Sequence, residues 1–338
     1  MYEALNDAPG GELPLEGLES SRGLAEAEAL MVSLGVGDRI DALGALVREH
    51  LATGGQRTRA RLALAAVEAL GGDRIAAAPW AAACELLHNA TLVHDDLQDG
   101  DTVRRGSPTL WSRHGAAQAI NVGDLLLMLP TAAIERLRTD DATRWRLSRA
   151  VVQRAEETVR GQAHELDLAR SPRADRHAWS AVATGKSGAL LALPVQGAAL
   201  LRGLAPAPAL ALSEPFAALG VLYQARDDLQ DLFGVTGRAP GGDLRDGKPS
   251  LVVIEHLRLH PSDTDPLLAL LALPRELTPD AEVERWLGRF VEDGAVDAVR
   301  SRIGELEASV LGAPTLRAVP DLHDVARTLV ERLRQRPA

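Results

Sequence analysis

The sequence predicts an all-α protein that forms a single domain of ten or more helices. Hydrophobic residues make up 46% of the 338 residues, which is ample for a large core, but aromatic residues make up only 3%. A core built mainly from Ala, Leu and Val favours helices over strands. Apolar residues also recur at three-and-four spacing along most of the chain, and no segment shows the sustained two-residue alternation of strands.

The predicted helices follow one another between Gly, Pro and Asp residues. Residues 1–22 are acidic and rich in Gly and Pro, so we expect a flexible N-terminal segment ahead of a helical domain at 23–338. The long helical patterns lie at 57–70, 80–98, 115–137, 143–168, 176–201, 208–232 and 281–310. The last two are separated by a Gly-rich loop at 233–250 and by a Pro-bounded stretch at 260–282, which is expected to hold a short helix.

Charge and composition argue against several function classes. The formal net charge of −10 is unusual for a general nucleic-acid-binding protein. The acidic N-terminus is the opposite of a signal peptide, and no apolar run approaches the roughly 20 residues that span a bilayer. We therefore expect a cytoplasmic protein that is not integral to a membrane. The single cysteine, Cys84, lies in an apolar run and is expected to be a small buried side chain.

The pentapeptide DDLQD occurs twice, at 95–99 and at 227–231. Similarity between the two regions ends with the pentapeptide and no fixed period recurs, which argues against a duplicated module. The two copies are better explained as parts of one site that two helices supply.

In a helix that contains the first copy, Asp95 and Asp99 lie one turn apart and share a face with His88 and Thr91, opposite an apolar stripe. The Cβ atoms of the two aspartates would be about 5–6 Å apart. Two like charges at this distance repel each other, and a cation between them reverses the sign of the interaction. The first copy therefore has the arrangement of a cation site.

The second copy repeats this arrangement. Asp227 and Asp231 share a face with Gly220 and Gln224, and Asp228 lies beside them. With no Cys or paired His nearby, carboxylates at this spacing suit Mg²⁺, which takes oxygen ligands, keeps several waters and bridges to substrate phosphates.

Basic residues follow both copies. Arg104 and Arg105 come shortly after the first, in RRG, and Arg238 and Lys248 lie on the Gly-rich loop after the second. Of the 37 basic residues only two are lysines, Lys186 and Lys248, which indicates positions where a compact ammonium group is required. Acidic blocks with cations beyond them predict a site for a metal–diphosphate complex.

These motifs resemble those of the trans-isoprenyl diphosphate synthases, the polyprenyl synthetase family. The resemblance covers about residues 50–255, with HDDLQD matching the family's first aspartate-rich motif and YQARDDLQD the second, in the family's order. It implies the isoprenoid synthase fold, in which helices surround a deep central cavity and the two motifs face each other. It also implies a homodimer.

The resemblance implies a role for each matched residue. Three Mg²⁺ ions are expected with substrate bound, and their ligands would be Asp95, Asp99 and Asp227, supported by Asp96, Asp228 and Asp231. The residues near the leaving diphosphate and the developing cation would be Lys186, Ser187 and Gln224. The residues that bind the two diphosphate substrates would be Arg59, His88, Arg104, Arg105, Gln162, Arg238 and Lys248, with Gln56 and Arg57 beside them.

The sequence departs from the family's pattern at a few of these positions. Gln56, in GGQRTR, stands where a lysine is usual in the isopentenyl diphosphate site. A lost charge-assisted contact is worth about 1.5–3 kcal/mol, so we expect weaker binding of isopentenyl diphosphate. Arg238 also replaces a lysine but keeps the charge, and Ser187 replaces the usual threonine.

Product length depends, in the family, on the residues four and five positions before the first aspartate, which help to form the floor of the chain pocket. Here they are Thr91 and Ala90, which are both small. We therefore expect a geranylgeranyl or longer product, with Leu127 or Met128 as an alternative, deeper floor.

The implied reaction joins isopentenyl diphosphate head-to-tail to an allylic diphosphate (dimethylallyl, geranyl or farnesyl), giving a longer all-trans polyprenyl diphosphate and pyrophosphate. Two alternatives are open. A class I terpene cyclase shares the acidic motifs, but it usually lines its cavity with aromatic residues and has no use for the paired arginines. A non-catalytic partner subunit of a prenyl synthase typically lacks one acidic block, whereas both are intact here.

Overall fold

Helices account for most of the chain that the computed structural model describes, which comprises residues 22–37, 41–168, 175–234 and 239–335. The predicted flexible segment lies outside the described residues except for Arg22, which begins the first helix. The prediction of an all-α fold with ten or more helices is confirmed.

The helices, in chain order, are α1 (Arg22–Val36), α2 (Ala42–Ala52), α3 (Thr58–Ala69), α4 (Ala78–Gln98), α5 (Leu110–His114), α6 (Ala116–Glu135), α7 (Asp141–Leu168), α8 (Arg176–Ala183), α9 (Ala189–Leu201), α10 (Pro206–Phe233), α11 (Gly242–Arg245), α12 (Leu251–Leu259), α13 (Thr264–Leu271), α14 (Asp280–Glu292), α15 (Ala295–Gly312), α16 (Pro314–Arg317) and α17 (Pro320–Gln335). A π-helical turn, Thr184–Gly188, connects α8 to α9, and 3₁₀ turns at Pro261–Asp263 and Arg275–Leu277 flank α13. The described strands, β1 (Val103–Arg104) and β2 (Ser107–Pro108), pair antiparallel as a short hairpin.

The observed helices agree with most of the predicted segments. At both ends, α3, α4, α6, α7 and α10 begin and end within two residues of their patterns, and the stretch 260–282 holds α13 as expected. The pattern at 281–310 is two helices, because Gly294 between α14 and α15 adopts a φ of 86° that a helix cannot contain. The pattern at 176–201 is interrupted by the π-helical turn.

Helix α4 carries the first acidic block through the centre of the domain. It packs against α1, α3, α6 and α9, and its apolar stripe of Leu86, Ala90 and Val93 is buried in these contacts. Small residues permit the close packing: a Cβ at Gly197 of α9 would be 1.9 Å from the indole ring of Trp80. The Ala- and Gly-rich composition therefore brings the helices together and leaves the polar face of α4 for the cavity described below.

Close backbone contacts hold the π-helical turn between α7 and α10. A Cβ at Gly161 of α7 would be 2.5 Å from the backbone nitrogen of Lys186, and one at Gly220 of α10 would be 2.5 Å from the Cα of Gly188. Single π turns within helices are frequent at functional sites. Because this turn carries Lys186 and Ser187, the two glycine contacts determine where these side chains lie.

Helix α6 is the one described helix whose length and average composition would also suit a membrane span. Core helices of soluble proteins pass the same test, and 44% of the apolar window of α6 is buried inside the fold. No unbroken apolar run in the sequence is long enough to span a bilayer, and α6 is apolar enough only when its hydropathy is averaged over a window of 18 residues. Its contacts with α4 and α1 identify it as a packed helix of the domain.

We predict that Gly220→Ala lowers the free energy of unfolding by about 1–3 kcal/mol, because the new methyl group meets backbone atoms of Gly188 and Ser187 that cannot rotate away. Chemical denaturation measures this difference. Gly304→Ala in α15 is the matched control: no atom lies within 4 Å of a Cβ there, so the better helix former should raise stability by about 0.5–1 kcal/mol. Equal effects at the two positions would contradict the close backbone contact.

Candidate active site

A cavity of ≈ 460 Å³ receives side chains from both copies of DDLQD. Asp95 of α4 and Asp99, which caps the end of α4, line it, and Asp227, Asp228 and Asp231 line it from α10. The polar face predicted for each helix is thus the face that lines the cavity. The two pentapeptides therefore line one cavity.

Asp228 is buried in the cavity wall and is held by three donors. Gln224 Nε2 lies 2.9 Å from one carboxylate oxygen, and the other oxygen accepts from Trp179 Nε1 at 2.9 Å and from the Leu251 backbone N–H at 2.7 Å. Burial raises the pKa of Asp228 to about 7, these hydrogen bonds oppose the rise, and the charge of Asp227 adds to it. A nearby cation would favour the ionised form of this group.

Asp243, in the short helix α11, adds a carboxyl group to the second acidic block. Its backbone N–H donates to Asp231 Oδ2 at 2.9 Å, and its side chain lines the cavity. Burial, followed by the charges of Asp231 and Asp228, raises the pKa of Asp243 well above its ordinary value. The predicted set of metal ligands omits Asp243, and its signal in the sequence is its place beside Lys248 on the Gly-rich loop.

The convergence of these carboxyl groups suits a hard divalent cation. Burial raises the pKa of Asp95, Lys186 opposes this, and the charge of Asp99 adds to it. Carboxylate oxygens are the donors that Mg²⁺ prefers, and a cation would relieve the repulsion among them. The side chains that line the cavity and could hold such ions are Asp95, Asp99, Asp227, Asp228, Asp231 and Asp243.

Both lysines of the chain reach this cavity. Lys186 Nζ lies 2.5 Å from Glu165 Oε2, and Lys248 Nζ lies 3.4 Å from Asp99 Oδ2. Burial acts to lower the pKa of Lys248, but Asp99 and Asp243 outweigh it and raise the pKa, so the ammonium group stays charged. Lys248 follows the second copy of DDLQD and contacts the first, which joins the two halves of the site.

The β1–β2 hairpin positions Arg104 and Arg105 at the cavity. Its turn contains Arg105 and Gly106, which have φ values of 52° and 74°. Arg105 donates to the Gly54 carbonyl, and Arg104 donates to Asp96. Asp96, expected as a supporting metal ligand, is not among the described residues that line the cavity; it is buried against Arg104, and burial raises its pKa to about 6.

Arg59 and His88 line the cavity as well. Neither ring nitrogen of His88 has a hydrogen-bond partner among the described residues, and burial, followed by the charge of Arg59, lowers its pKa well below the ordinary value. The ring is therefore neutral. Gln56 and Arg57 are not among the described lining residues, and the Arg57 guanidinium forms an ion pair with Glu28 at 2.9 Å.

The other predicted residues lie at the cavity or outside the described chain. Gln162, Ser187 and Gln224 line it, and Ser187 Oγ lies 3.4 Å from Gln224 Oε1. Arg238 lies outside the described residues. The sequence-based set misses Glu165, the partner of Lys186, although it follows Gln162 by three positions and so belongs to the same face of α7.

Of the two small residues before Asp95, Thr91 lines the cavity, whereas Ala90 is fully buried in the core as part of the apolar stripe of α4. The deeper pair divides in the same way. Leu127 of α6 lines the cavity, and Met128 is 69% exposed on the outer surface. One residue of each pair is therefore in a position to limit the length of a bound chain.

Comparison with known proteins agrees with this geometry. The sequence pattern described as Polyprenyl synthetase matches residues 41–287. A geranylgeranyl diphosphate synthase of Mycobacterium tuberculosis is 33% identical over 282 residues, which are 82% of this chain and 80% of that protein. A (2E,6E)-farnesyl diphosphate synthase of the same organism is 36% identical over 204 residues, 59% of this chain and 56% of that protein. The crystal structure of polyprenyl synthetase from Streptomyces coelicolor A3(2) has a TM-score of 0.80 and 26% identity, covering 92% of this chain and 97% of that one.

We predict that Asp243→Asn weakens the binding of Mn²⁺, a probe with the same oxygen preference as Mg²⁺, by about tenfold or more, because one charged oxygen donor is lost. Electron paramagnetic resonance counts free Mn²⁺ in a titration. Asp124→Asn is the control: this carboxylate is 61% exposed and lies 3.5 Å from His94 rather than in the acidic cluster. Equal Mn²⁺ affinity in wild type and Asp243→Asn would remove Asp243 from the cation site.

Proposed function

The chain belongs to the polyprenyl synthetase family, and we propose that it condenses isopentenyl diphosphate head-to-tail with an allylic diphosphate to give a longer all-trans polyprenyl diphosphate and pyrophosphate. It is a prenyltransferase. The observation that carries the proposal is the meeting of both DDLQD copies and both lysines in one cavity. Aspartates that can hold metal ions, together with lysine and arginine side chains nearby, suit two substrates that each carry a diphosphate.

We propose Mg²⁺ as the cofactor, with three ions when substrate is bound. Bound at the acidic cluster, Mg²⁺ would neutralise the allylic diphosphate and make it a better leaving group. The ligands we assign are Asp95, Asp99 and Asp227, with Asp228, Asp231 and Asp243 in support. Asp96 has a different task in this proposal, because its contact with Arg104 positions that guanidinium at the cavity.

The lysines and Arg104 hold the diphosphate of the allylic substrate in this proposal. Burial acts to lower the pKa of Lys186, but Asp95 and Glu165 raise it, so the group is an ammonium ion. Lys186 would exchange Glu165 for a diphosphate oxygen as charge develops on the leaving group. At an effective dielectric constant near 20, the attraction between two opposite unit charges 4 Å apart, such as the Lys186 ammonium and a diphosphate oxygen, is about 4 kcal/mol. A barrier lowered by this amount raises the rate by nearly three powers of ten.

Isopentenyl diphosphate would lie against Arg59 and Arg105. The neutral His88 beside them has free ring nitrogens within the described structure and can accept or donate a hydrogen bond. The double bond of isopentenyl diphosphate attacks the allylic cation, and the side-chain oxygens of Gln162 and Gln224 stabilise that cation. No side-chain nucleophile is needed, because the released pyrophosphate can take the proton.

Incubation of the purified protein with isopentenyl diphosphate, farnesyl diphosphate and Mg²⁺ tests the proposal against its rivals. A longer prenyl diphosphate together with pyrophosphate is the expected result. Pyrophosphate with a hydrocarbon would identify a class I terpene cyclase. Absence of turnover would leave the role of a partner subunit and would contradict the proposed activity.

We predict that Gln56→Lys lowers the KM for isopentenyl diphosphate by about tenfold or more while kcat changes little, because an added ammonium restores a charge-assisted contact worth about 1.5–3 kcal/mol. Steady-state kinetics at saturating allylic substrate measure the effect. Gln56→Met keeps the length without the charge and should leave the KM at the wild-type value. If lysine behaves like methionine, position 56 does not contact isopentenyl diphosphate.

We propose a geranylgeranyl or longer product, and we predict that Thr91→Phe shortens it, because the ring would fill the cavity next to Asp95. Product lengths are read by chromatography of the hydrolysed prenyl alcohols. Ala90→Phe is the contrasting variant: Ala90 is fully buried in the core, so the ring should destabilise the fold by about 1–3 kcal/mol instead. An unchanged product distribution in a folded Thr91→Phe enzyme would show that position 91 does not limit product length.

We propose that the enzyme is a homodimer that pairs through α7. An exposed apolar stripe with a seven-residue period runs along this helix and consists of Trp145, Val152, Val159 and Leu166. Such a period is what one helix presents to another in helix–helix packing. Val159 and Leu166 also line the cavity, so a second copy on this face would cover the outer wall of the active site.

We predict that Val152→Glu converts the dimer to a monomer, because a carboxylate in an apolar helix–helix interface is costly to bury. Sedimentation velocity measures the mass. Val291→Glu, at a similarly exposed valine on α14, is the control and should leave the mass of a dimer unchanged. A dimer that survives Val152→Glu would mean that α7 is not the interface.

We also propose a cytoplasmic enzyme whose only substrates are the two diphosphates. Helix α6 packs against α4, and apolar residues such as Leu126 and Leu129 are buried in the core, which supports a place for this helix in the domain rather than in a bilayer. The net charge of −10 argues against nucleic acid as a partner.

A further inference from the structure

A cluster of metal-binding side chains lies outside the cavity, where the end of α12 meets the junction of α14 and α15. His256 of α12, His260 directly after it and Asp293 after α14 each offer one ligand atom, and these atoms lie within 4.8 Å of one another. The two imidazole rings are stacked, with their centroids 5.0 Å apart. His256 is buried, and the other two are partly buried.

The hydrogen bonds of both histidines leave Nδ1 as the nitrogen with a lone pair. His256 Nε2 lies 2.8 Å from Asp263 Oδ2, and His260 Nε2 lies 3.0 Å from the Asp293 carbonyl oxygen. Both oxygens accept, so each Nε2 carries the proton. An imidazole that donates its second nitrogen to a carboxylate or carbonyl is the usual arrangement of a metal-bound histidine.

The Nδ1 atom of His256 is buried and has no hydrogen-bond partner among the described residues. A buried polar atom without a hydrogen-bond partner destabilises the fold, and a metal ion at this atom would supply the missing partner. The ring contacts the rings of Trp286 and Phe290 in edge-to-face geometry, and these contacts hold its orientation.

The charges around the cluster tolerate a divalent cation. Arg289 contacts Asp263 and Asp293, each at 2.8 Å. Within this group of side chains, two carboxylates and one guanidinium leave one net negative charge. Arg289 binds Asp293 through Oδ2, so the second oxygen of that carboxylate can turn toward the histidines.

We propose that His256, His260 and Asp293 form a second metal site, for a transition-metal ion of the Zn²⁺ class, separate from the aspartate-rich cavity. Two imidazoles and one carboxylate suit Zn²⁺ far better than Mg²⁺, which prefers oxygen ligands. Ligand atoms around a tetrahedral Zn²⁺ are about 3.3 Å apart, so binding draws the cluster together by rotation of the partly buried His260 and Asp293. Water takes the fourth position.

The site clamps the end of α12 to the α14–α15 junction. The other end of α12 reaches the active site, where the Leu251 N–H donates to Asp228. A metal ion at the cluster therefore stabilises the helix that supports Asp228. This inference does not depend on the reaction that the enzyme catalyses.

The test uses the full chain, stripped with a chelator and dialysed against Zn²⁺ in an excess of Mg²⁺ that occupies the aspartate-rich cavity. Bound zinc is counted by atomic emission. Wild type should retain one Zn²⁺ per chain, and His260→Gln and Asp293→Asn should bind it at least tenfold more weakly. Asp263 positions His256 and is not itself a ligand, so Asp263→Asn should weaken zinc binding by about 10–100-fold. Circular dichroism verifies that each variant is folded.

The matched control is His323→Gln, because His323 is also partly buried and its Nε2 also lies 3.0 Å from a backbone carbonyl, that of Leu311. This variant should bind zinc like wild type. Zn²⁺ should also raise the melting temperature of wild type and His323→Gln, but not that of His260→Gln. Equal zinc binding in wild type and in folded His260→Gln and Asp293→Asn would overturn the proposal, as would complete displacement of zinc by Mg²⁺.

Discussion

Repulsion among the carboxyl groups that meet in one cavity is the interaction on which the rest of this structure depends. Asp95 and Asp99 on α4 and the aspartates of α10 meet in one cavity, where burial raises the pKa of Asp95 and Asp228. Charge alone would drive the two helices apart. The close packing of the Ala- and Gly-rich core holds them together, so the cavity has a strong preference for cations before any substrate enters.

The acidic and basic halves of the site are carried by different kinds of backbone. The aspartates that face each other lie on the long regular helices α4 and α10. Arg59 lies on the regular helix α3, but the other cations named above lie on irregular elements: Lys186 on the π-helical turn, Arg104 and Arg105 on the hairpin, and Lys248 on the loop after α11. Regular helices set the spacing of metal ligands rigidly, whereas turns can bring cations to the outer oxygens of a diphosphate.

Helix α12 connects the cavity to the rest of the domain. Its first N–H is a donor to Asp228, and its last turn carries His256 within the cluster at the α14–α15 junction. The short helix is buried along most of its length, so a constraint at one end reaches the other through rigid structure. The stability of this helix therefore matters to the position of an aspartate in the site.

The sequence by itself determined the all-α class, the approximate bounds of α3, α4, α6, α7 and α10, and the residues that share a face of α4 and α10, because helical periodicity is local. The sequence could not determine which residue each charged side chain contacts. Asp96 turns to Arg104, Arg57 turns to Glu28, and Asp243 joins the acidic cluster. These contacts depend on distances between elements that local patterns do not contain, so only the tertiary structure decided them.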